Sequence, residues 1–144
     1  MTRSLTIALL LTAAPALADD DAMPPVTNAA TLEECSACHI AYPPGFLPAR
    51  SWVAIMGDLQ NHFGENAQLD EATRAEIEAY LVGASASRIR GVPDSVTPLR
   101  ITELPWFTRE HGEEVSPRML KKAKSMSNCA ACHRGAERGY FEDD

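Results

Sequence analysis

Apolar residues in this chain recur three and four positions apart, the spacing of one helix face, and no stretch alternates long enough to predict a strand. The clearest block covers residues 49–63, and its apolar stripe includes His62. A second helix is predicted to begin at Asp70, a good N-cap, and to end at Gly83. The pattern therefore predicts a mainly α fold.

A shorter helix is predicted ahead of the first block. Thr31 and Glu34 have the spacing of a capping box, with Thr31 as N-cap, and the helix would carry residues 35–39. Residues 42–48 contain three prolines and are predicted to be irregular, because proline lacks a backbone N–H and fixes φ.

Helical periodicity fails from residue 84 to residue 104, where serine, glycine and proline are frequent. Residues 84–104 are therefore predicted to link a first domain, residues 19–83, to a C-terminal segment, residues 105–144. In that segment Pro105 suits the first position of a short helix, and Ser116 suits the N-cap of another.

The N-terminus has the features of an export signal. A positive start ending at Arg3 precedes an apolar run from Leu5 to Leu17, and Ala18 completes a small-residue cleavage site. Residues 1–18 are predicted to be a signal peptide cleaved near Ala18, which places the mature protein in the periplasm. The apolar run is too short for a stable membrane span and no later stretch is apolar enough, so no transmembrane anchor is predicted.

Charge is distributed unevenly along the chain. Residues 19–95 carry 4 basic and 12 acidic side chains, whereas residues 96–144 carry 8 of each. The basic groups of the C-terminal segment form a local group, called here the basic patch: Arg118, Lys121, Lys122, Lys124, Arg134 and Arg138. Such a patch on an acidic protein indicates a docking face or, more simply, a solvated helix face. Export and the net charge of −7 disfavour nucleic-acid binding.

All four cysteines belong to two copies of one motif, Cys-x-x-Cys-His. The copies comprise Cys35, Cys38 and His39, and Cys129, Cys132 and His133. This motif is typical of covalent attachment of a c-type haem, because thiols three residues apart share a helix face and can reach two vinyl groups of one porphyrin. A structural zinc site also uses Cys-x-x-Cys, but it would leave the two identically placed histidines unexplained.

Four histidines allow a count of iron ligands. The motif makes His39 and His133 the proximal ligands, and the remaining two, His62 and His111, fall one in each half of the chain. The simplest assignment pairs His39 with His62 at haem 1 and His111 with His133 at haem 2.

Methionine is the alternative sixth ligand, with Met56 a candidate at haem 1 and Met119 at haem 2. Two further roles are expected near haem 1. A carbonyl of residues 43–48 is expected to accept the second ring N–H of His39, and Arg50 either pairs with a haem propionate or is an exposed residue at a helix start.

Two nitrogen ligands on each iron would leave no open position for substrate, which favours electron transfer over catalysis. Without a methionine ligand, which raises potential, both haems should lie lower in potential than a His/Met cytochrome c.

Several stretches resemble the small periplasmic dihaem cytochromes c of photosynthetic and other proteobacteria. They are residues 34–52, then His62-Phe63-Gly64-Glu65-Asn66-Ala67, Pro105-Trp106-Phe107, Glu110-His111 and the second haem motif. The resemblance implies a first domain similar to class I cytochrome c and a less regular C-terminal segment organised around haem 2. It also implies bis-histidine ligation, with His62 and His111 as distal ligands.

The resemblance further implies that electrons pass to a small oxygen-binding monohaem cytochrome, with a membrane cytochrome b as donor. The protein is thus predicted to be an electron carrier with low-spin haems and not an enzyme. A dihaem subunit of a periplasmic reductase stays open as the alternative, followed by a haem enzyme and a gas sensor.

Overall fold

The computed structural model describes residues 22–142, and within them all regular secondary structure is helical apart from isolated bridges. The α-helices are α1 (Ala29–Cys35), α2 (Ala49–Met56), α3 (Glu71–Gly83), α4 (Pro105–His111) and α5 (Pro117–Ala123). Short 3-10 turns are formed by Pro44–Phe46, Leu59–Asn61, Ile101–Glu103, Cys129–Ala131 and Ala136–Arg138. The prediction of a mainly α fold is confirmed. The predicted signal peptide, residues 1–18, lies outside the described residues, among which no helix has the length and apolar character needed to cross a membrane.

The start of α1 differs from the sequence prediction, because Asn28 and not Thr31 is the N-cap. Asn28 Oδ1 accepts hydrogen bonds from the backbone N–H and the hydroxyl of Thr31, both at 2.8 Å. The Asn28 amide also donates to Glu76 Oε1 of α3 at 2.9 Å. Asn28 therefore satisfies the first turn and holds α1 against α3, while Thr31 lies buried inside the turn.

The helix predicted over residues 49–63 is shorter in the structure, and His62 lies in a turn rather than on a helical stripe. α2 ends at Met56, where Gly57, a poor helix former, follows it. Phe63 and Gly64 then have positive φ, at 54° and 106°. This left-handed turn, closed by a bond from the Glu65 N–H to the His62 carbonyl at 3.1 Å, sets the position of His62.

The predicted ends of the later helices are confirmed. Asp70 Oδ1 accepts hydrogen bonds from two backbone N–H groups in the first turn of α3, at 3.0 and 3.1 Å, and α3 ends at Gly83. α4 begins at Pro105, and the Ser116 side chain accepts from a backbone N–H of α5.

One hydrophobic core joins the described halves of the chain. Ile77 of α3 is fully buried at its centre, packed with residues of α2. Ile89 and Leu104, from the predicted linker, and Phe107 of α4 belong to the same cluster. The division into domains at residues 84–104 stays a prediction, but this stretch supplies buried side chains to a common core.

The two ends of the described chain are joined through Gly139. The Met23 N–H donates to the Gly139 carbonyl at 2.7 Å. Gly139 has φ of 83°, and a Cβ there would lie 2.0 Å from the Met23 oxygen. Only glycine fits this contact, which closes the C-terminal segment against the start of the fold.

Candidate functional site

The first cysteine pair lies at the end of α1. Cys35 is the last residue of the helix and is half-buried, whereas Cys38 lies in the following turn and is exposed; both are free. Burial, and secondarily the charge of Glu34, raises the pKa of the Cys35 thiol. The site thus disfavours a thiolate and suits the neutral thioether that this sulfur would become on haem attachment.

The His39 ring is held by its neighbours in the same turn. Its Nδ1 lies 2.6 Å from the carbonyl oxygen of Ile40, so the expectation that residues 43–48 supply this carbonyl is wrong. The ring also stacks on Tyr42, with centroids 4.7 Å apart and an interplanar angle of 19°. The engaged Nδ1 leaves Nε2 available as the coordinating atom.

His62 lies opposite His39. The two ring centroids are 6.2 Å apart with an interplanar angle of 25°, and Phe63 packs edge-on against His62 at 4.9 Å. Burial, and then the neighbouring His39, lowers the pKa of His62. The structure therefore brings together the first predicted pair, and His62 favours the neutral form that binds metal ions.

The second motif is carried by irregular backbone. Cys129 begins a 3-10 turn and is half-buried, and Cys132 is exposed at the end of that turn; both are free. Burial is the main cause that raises the pKa of the Cys129 thiol. His133 Nδ1 lies 3.2 Å from the carbonyl oxygen of Glu142, and Phe141 packs edge-on at 6.0 Å. Contacts with the C-terminal residues thus fix the His133 ring.

His111, at the end of α4, faces His133. Their centroids are 6.0 Å apart, but the rings are almost perpendicular, at 79°. The His111 ring lies flat on Phe107, at 4.0 Å and 7°, and its Nδ1 is 3.1 Å from the Phe107 carbonyl oxygen. One residue four positions earlier on the same helix therefore sets both the plane and the hydrogen bond of His111.

The alternative ligands and Arg50 are placed as follows. Met56 is buried in the hydrophobic core, and Met119 is exposed on α5. Arg50 donates to the carbonyl oxygens of Val96 at 2.7 Å and Pro93 at 3.2 Å. Arg50 thus attaches residues 93–96 to α2, a role that the sequence pattern did not indicate.

Three aromatic or charged neighbours of the histidines were also missed by sequence analysis. Phe107 could have been found from its four-residue spacing to His111. Tyr42 lies only three residues after His39, but its bond to Ser127 and the contact of Arg100 with Phe63 join distant residues and leave no local signal. The Arg100 guanidinium lies 4.3 Å from the centre of the Phe63 ring, and both residues line a cavity of about 660 Å³.

The described residues contain no group of three or more His, Cys, Asp or Glu side chains placed to hold a metal ion as a cluster. What they contain is two similar sites, each with a Cys-x-x-Cys pair and two facing imidazoles. Two such sites on a helical fold define a c-type cytochrome with two attachment points for haem.

Comparison with known proteins gives the family. Residues 31–141 match the dihaem cytochrome c family, and the chain belongs to it. The solved diheme cytochrome c from Rhodobacter sphaeroides is 62% identical, with a TM-score of 0.79, over 82% of this chain and 99% of that one. A diheme cytochrome c from Shewanella baltica is 43% identical, with a TM-score of 0.68, over 80% of this chain and 87% of that one. No curated protein matches.

Proposed function

We propose that the protein is a periplasmic electron carrier in which each of two covalently attached haems has two histidine ligands and is low-spin. Cys35 and Cys38 would hold haem 1, with His39 and His62 on its iron. Cys129 and Cys132 would hold haem 2, with His111 and His133. When bound, these groups supply one-electron ferric/ferrous couples.

The separation of the facing imidazoles carries this proposal. Two metal–nitrogen bonds of about 2 Å, plus about 1 Å from each nitrogen to its ring centre, place two ligand rings about 6 Å apart. The observed separations are 6.2 and 6.0 Å. In three of the four rings, Nδ1 lies near a backbone carbonyl, which leaves Nε2 as the nitrogen available to a metal.

Closed coordination is tested with carbon monoxide. The reduced protein should show two haems by optical titration and no spectral change on adding carbon monoxide, because both irons lack an open position. His62→Ala is the positive control, since it should admit carbon monoxide at one haem. A shifted band in the unaltered protein would contradict the proposal and favour a haem enzyme or a gas sensor.

The basic patch supports a docking face near haem 2. All six of its side chains are exposed, and Lys121 and Lys122 lie on α5, close in sequence to the second motif. Complementary charge raises the rate of encounter with an acidic partner. Following the family resemblance, we assign a small monohaem cytochrome as acceptor and a membrane cytochrome b as donor.

A matched charge exchange tests this face. Lys121→Glu with Lys122→Glu should slow electron exchange with a small acidic monohaem cytochrome c at low salt by roughly tenfold, and the difference should shrink as salt is added. Arg88→Glu with Arg90→Glu makes the same change of charge at exposed residues of the predicted linker and should have less effect. Equal rates in both double variants would rule out the basic patch as the docking face.

The periplasmic assignment rests on the predicted signal peptide. Protein isolated from the periplasmic fraction should begin at Asp19 when its intact mass is measured. A mass that includes residues 1–18 would contradict it.

A further inference from the structure

Tyr42 contacts both haem regions. Its ring stacks on His39 of the first region, with centroids 4.7 Å apart. Its hydroxyl donates to the carbonyl oxygen of Ser127 at 2.7 Å, two residues before Cys129 of the second region.

The turn that accepts this hydrogen bond is stabilised by local hydrogen bonds. The Ser127 N–H donates to Ser125 Oγ at 3.1 Å, and the Asn128 side chain donates to the Ala123 carbonyl at 3.0 Å. The turn continues directly into the backbone bonds that hold residues 129–133, including the His133 N–H on the Cys129 carbonyl at 2.8 Å. The Tyr42 bond therefore ends on the turn that leads directly into the second motif.

We propose that Tyr42 is a positioning residue that couples the two haem regions. The oxidation state of the first region changes the strength of the hydrogen bond from Tyr42 to the segment that carries the second motif. Oxidation at the first region adds one positive charge beside the His39 ring. The stacked phenol is then a stronger hydrogen-bond donor to Ser127. The bond thus favours the oxidised state of the first region, and by reciprocity it lowers the reduction potential there.

Amide hydrogen exchange of the haem-loaded protein tests the coupling. Amides of residues 128–133 should exchange about threefold more slowly in the oxidised protein than in the reduced one, a part of the ~1 kcal/mol that such a bond contributes. Tyr42→Phe keeps the ring stack and removes only the hydroxyl. It should speed exchange in both oxidation states, by about fivefold in the oxidised one, and abolish the difference between them.

The same variant gives an independent readout in redox titration. The equilibrium constant for forming this bond is threefold larger in the oxidised state. Removing the bond should therefore raise the first midpoint potential by about 28 mV, at 59 mV per tenfold for one electron. Optical spectra showing two low-spin haems confirm that the variant is correctly loaded.

Tyr80→Phe is the matched control. It also removes a tyrosine hydroxyl that holds a distant segment, since Tyr80 accepts from the Thr27 N–H at 2.9 Å. It should leave the amide exchange rates of residues 128–133 and the first midpoint potential unchanged. The proposal is overturned if exchange in the unaltered protein is independent of oxidation state, or if the dependence survives in Tyr42→Phe. Neither readout involves a redox partner, so failure here is distinct from failure of the proposed electron-carrier function.

Discussion

The two haem regions use the same five-residue motif on different scaffolds. In the first region Cys35 ends a helix, and His39 and His62 face each other with nearly parallel rings, at 25°. In the second region the motif lies in a 3-10 turn, and His111 and His133 are nearly perpendicular, at 79°. The motif therefore determines which sulfur and nitrogen atoms are available to a haem, while the surrounding side chains determine the orientation of the imidazole rings.

The neighbours that turn the rings are identifiable. Tyr42 stacks on His39 at 19°, and Phe107 fixes His111 at 7°. His133 is instead oriented by the edge of Phe141 and by the Glu142 carbonyl. Two equivalent histidine pairs thus acquire different geometries from contacts outside the motif, which gives a physical reason for the two haems to differ spectroscopically if these pairs are the ligands.

The largest expected effect comes from replacing one distal histidine at a time. His62→Met should raise the potential of haem 1 alone, and His111→Met that of haem 2 alone, on the order of 100 mV within the range of ~0.8 V that axial ligands span. Redox titration followed optically measures both potentials. A variant that shifts the two haems equally would break the assignment of the pairs.

Core substitutions test whether the two regions share one folding unit. Ile77→Ala and Leu104→Ala should each lower the free energy of unfolding by about 3 kcal/mol, because each removes a side chain that is at most 1% exposed. Both should shift one common transition in guanidinium followed by circular dichroism. Val53→Ala, at an exposed site on α2, is the control and should change stability by less than about 0.5 kcal/mol. Two separate transitions would instead support independent domains divided at residues 84–104.

Removing the N-cap side chains of the two regions should lower the free energy of unfolding by smaller and unequal amounts. Asn28→Ala should cost about 1 kcal/mol, because Asn28 accepts two bonds at 2.8 Å and also donates to Glu76. Ser116→Ala should cost less, about 0.5 kcal/mol, since its one capping bond is 3.3 Å long. Denaturation midpoints of both variants give the comparison, and the reverse order would contradict it.

The smallest effect is a pH dependence at the α3 cap. The hydroxyl and N–H of Thr73 hold the pKa of Asp70 below its ordinary value of 3.8. A lowered pKa means that the carboxylate contributes stability above that value and that this contribution is lost as the pH falls through the lowered pKa. Asp70→Asn keeps a capping oxygen but does not titrate, so its stability relative to the unaltered protein should improve in acid. Parallel pH profiles of the two proteins would contradict this.

Local features of the fold were predictable from sequence, because the residues that determine each feature lie in the same short stretch as the feature itself. The caps at Asp70 and Ser116 and the proline start of α4 are of this kind, as are the two haem motifs. The cap at Asn28 was missed because Thr31 and Glu34 also have the spacing of a capping box, although Asn28 accepts the capping bond. The break after Met56 was missed because the apolar spacing continues through a glycine that ends the helix.

The ring planes and the contact from Tyr42 to Ser127 could not be read from the sequence. The Tyr42–Ser127 contact joins residues 85 positions apart, and neither partner carries a local pattern that indicates the other. The histidine pairs themselves were predicted by counting. Their relative orientation depends on Phe107, whose four-residue spacing to His111 is a local signal, and on Tyr42 and Phe141, whose ring contacts follow only from the structure.

The electron paramagnetic resonance spectrum of the oxidised protein tests the central claim most directly. Parallel ligand rings split the iron d orbitals, whereas perpendicular rings interact with both alike and leave them nearly degenerate. The 25° and 79° pairs therefore predict two low-spin signals of equal integrated intensity, one rhombic and one with a single large g value. A high-spin signal from either haem, or two identical rhombic signals, would contradict the account of two closed bis-histidine sites that differ in geometry.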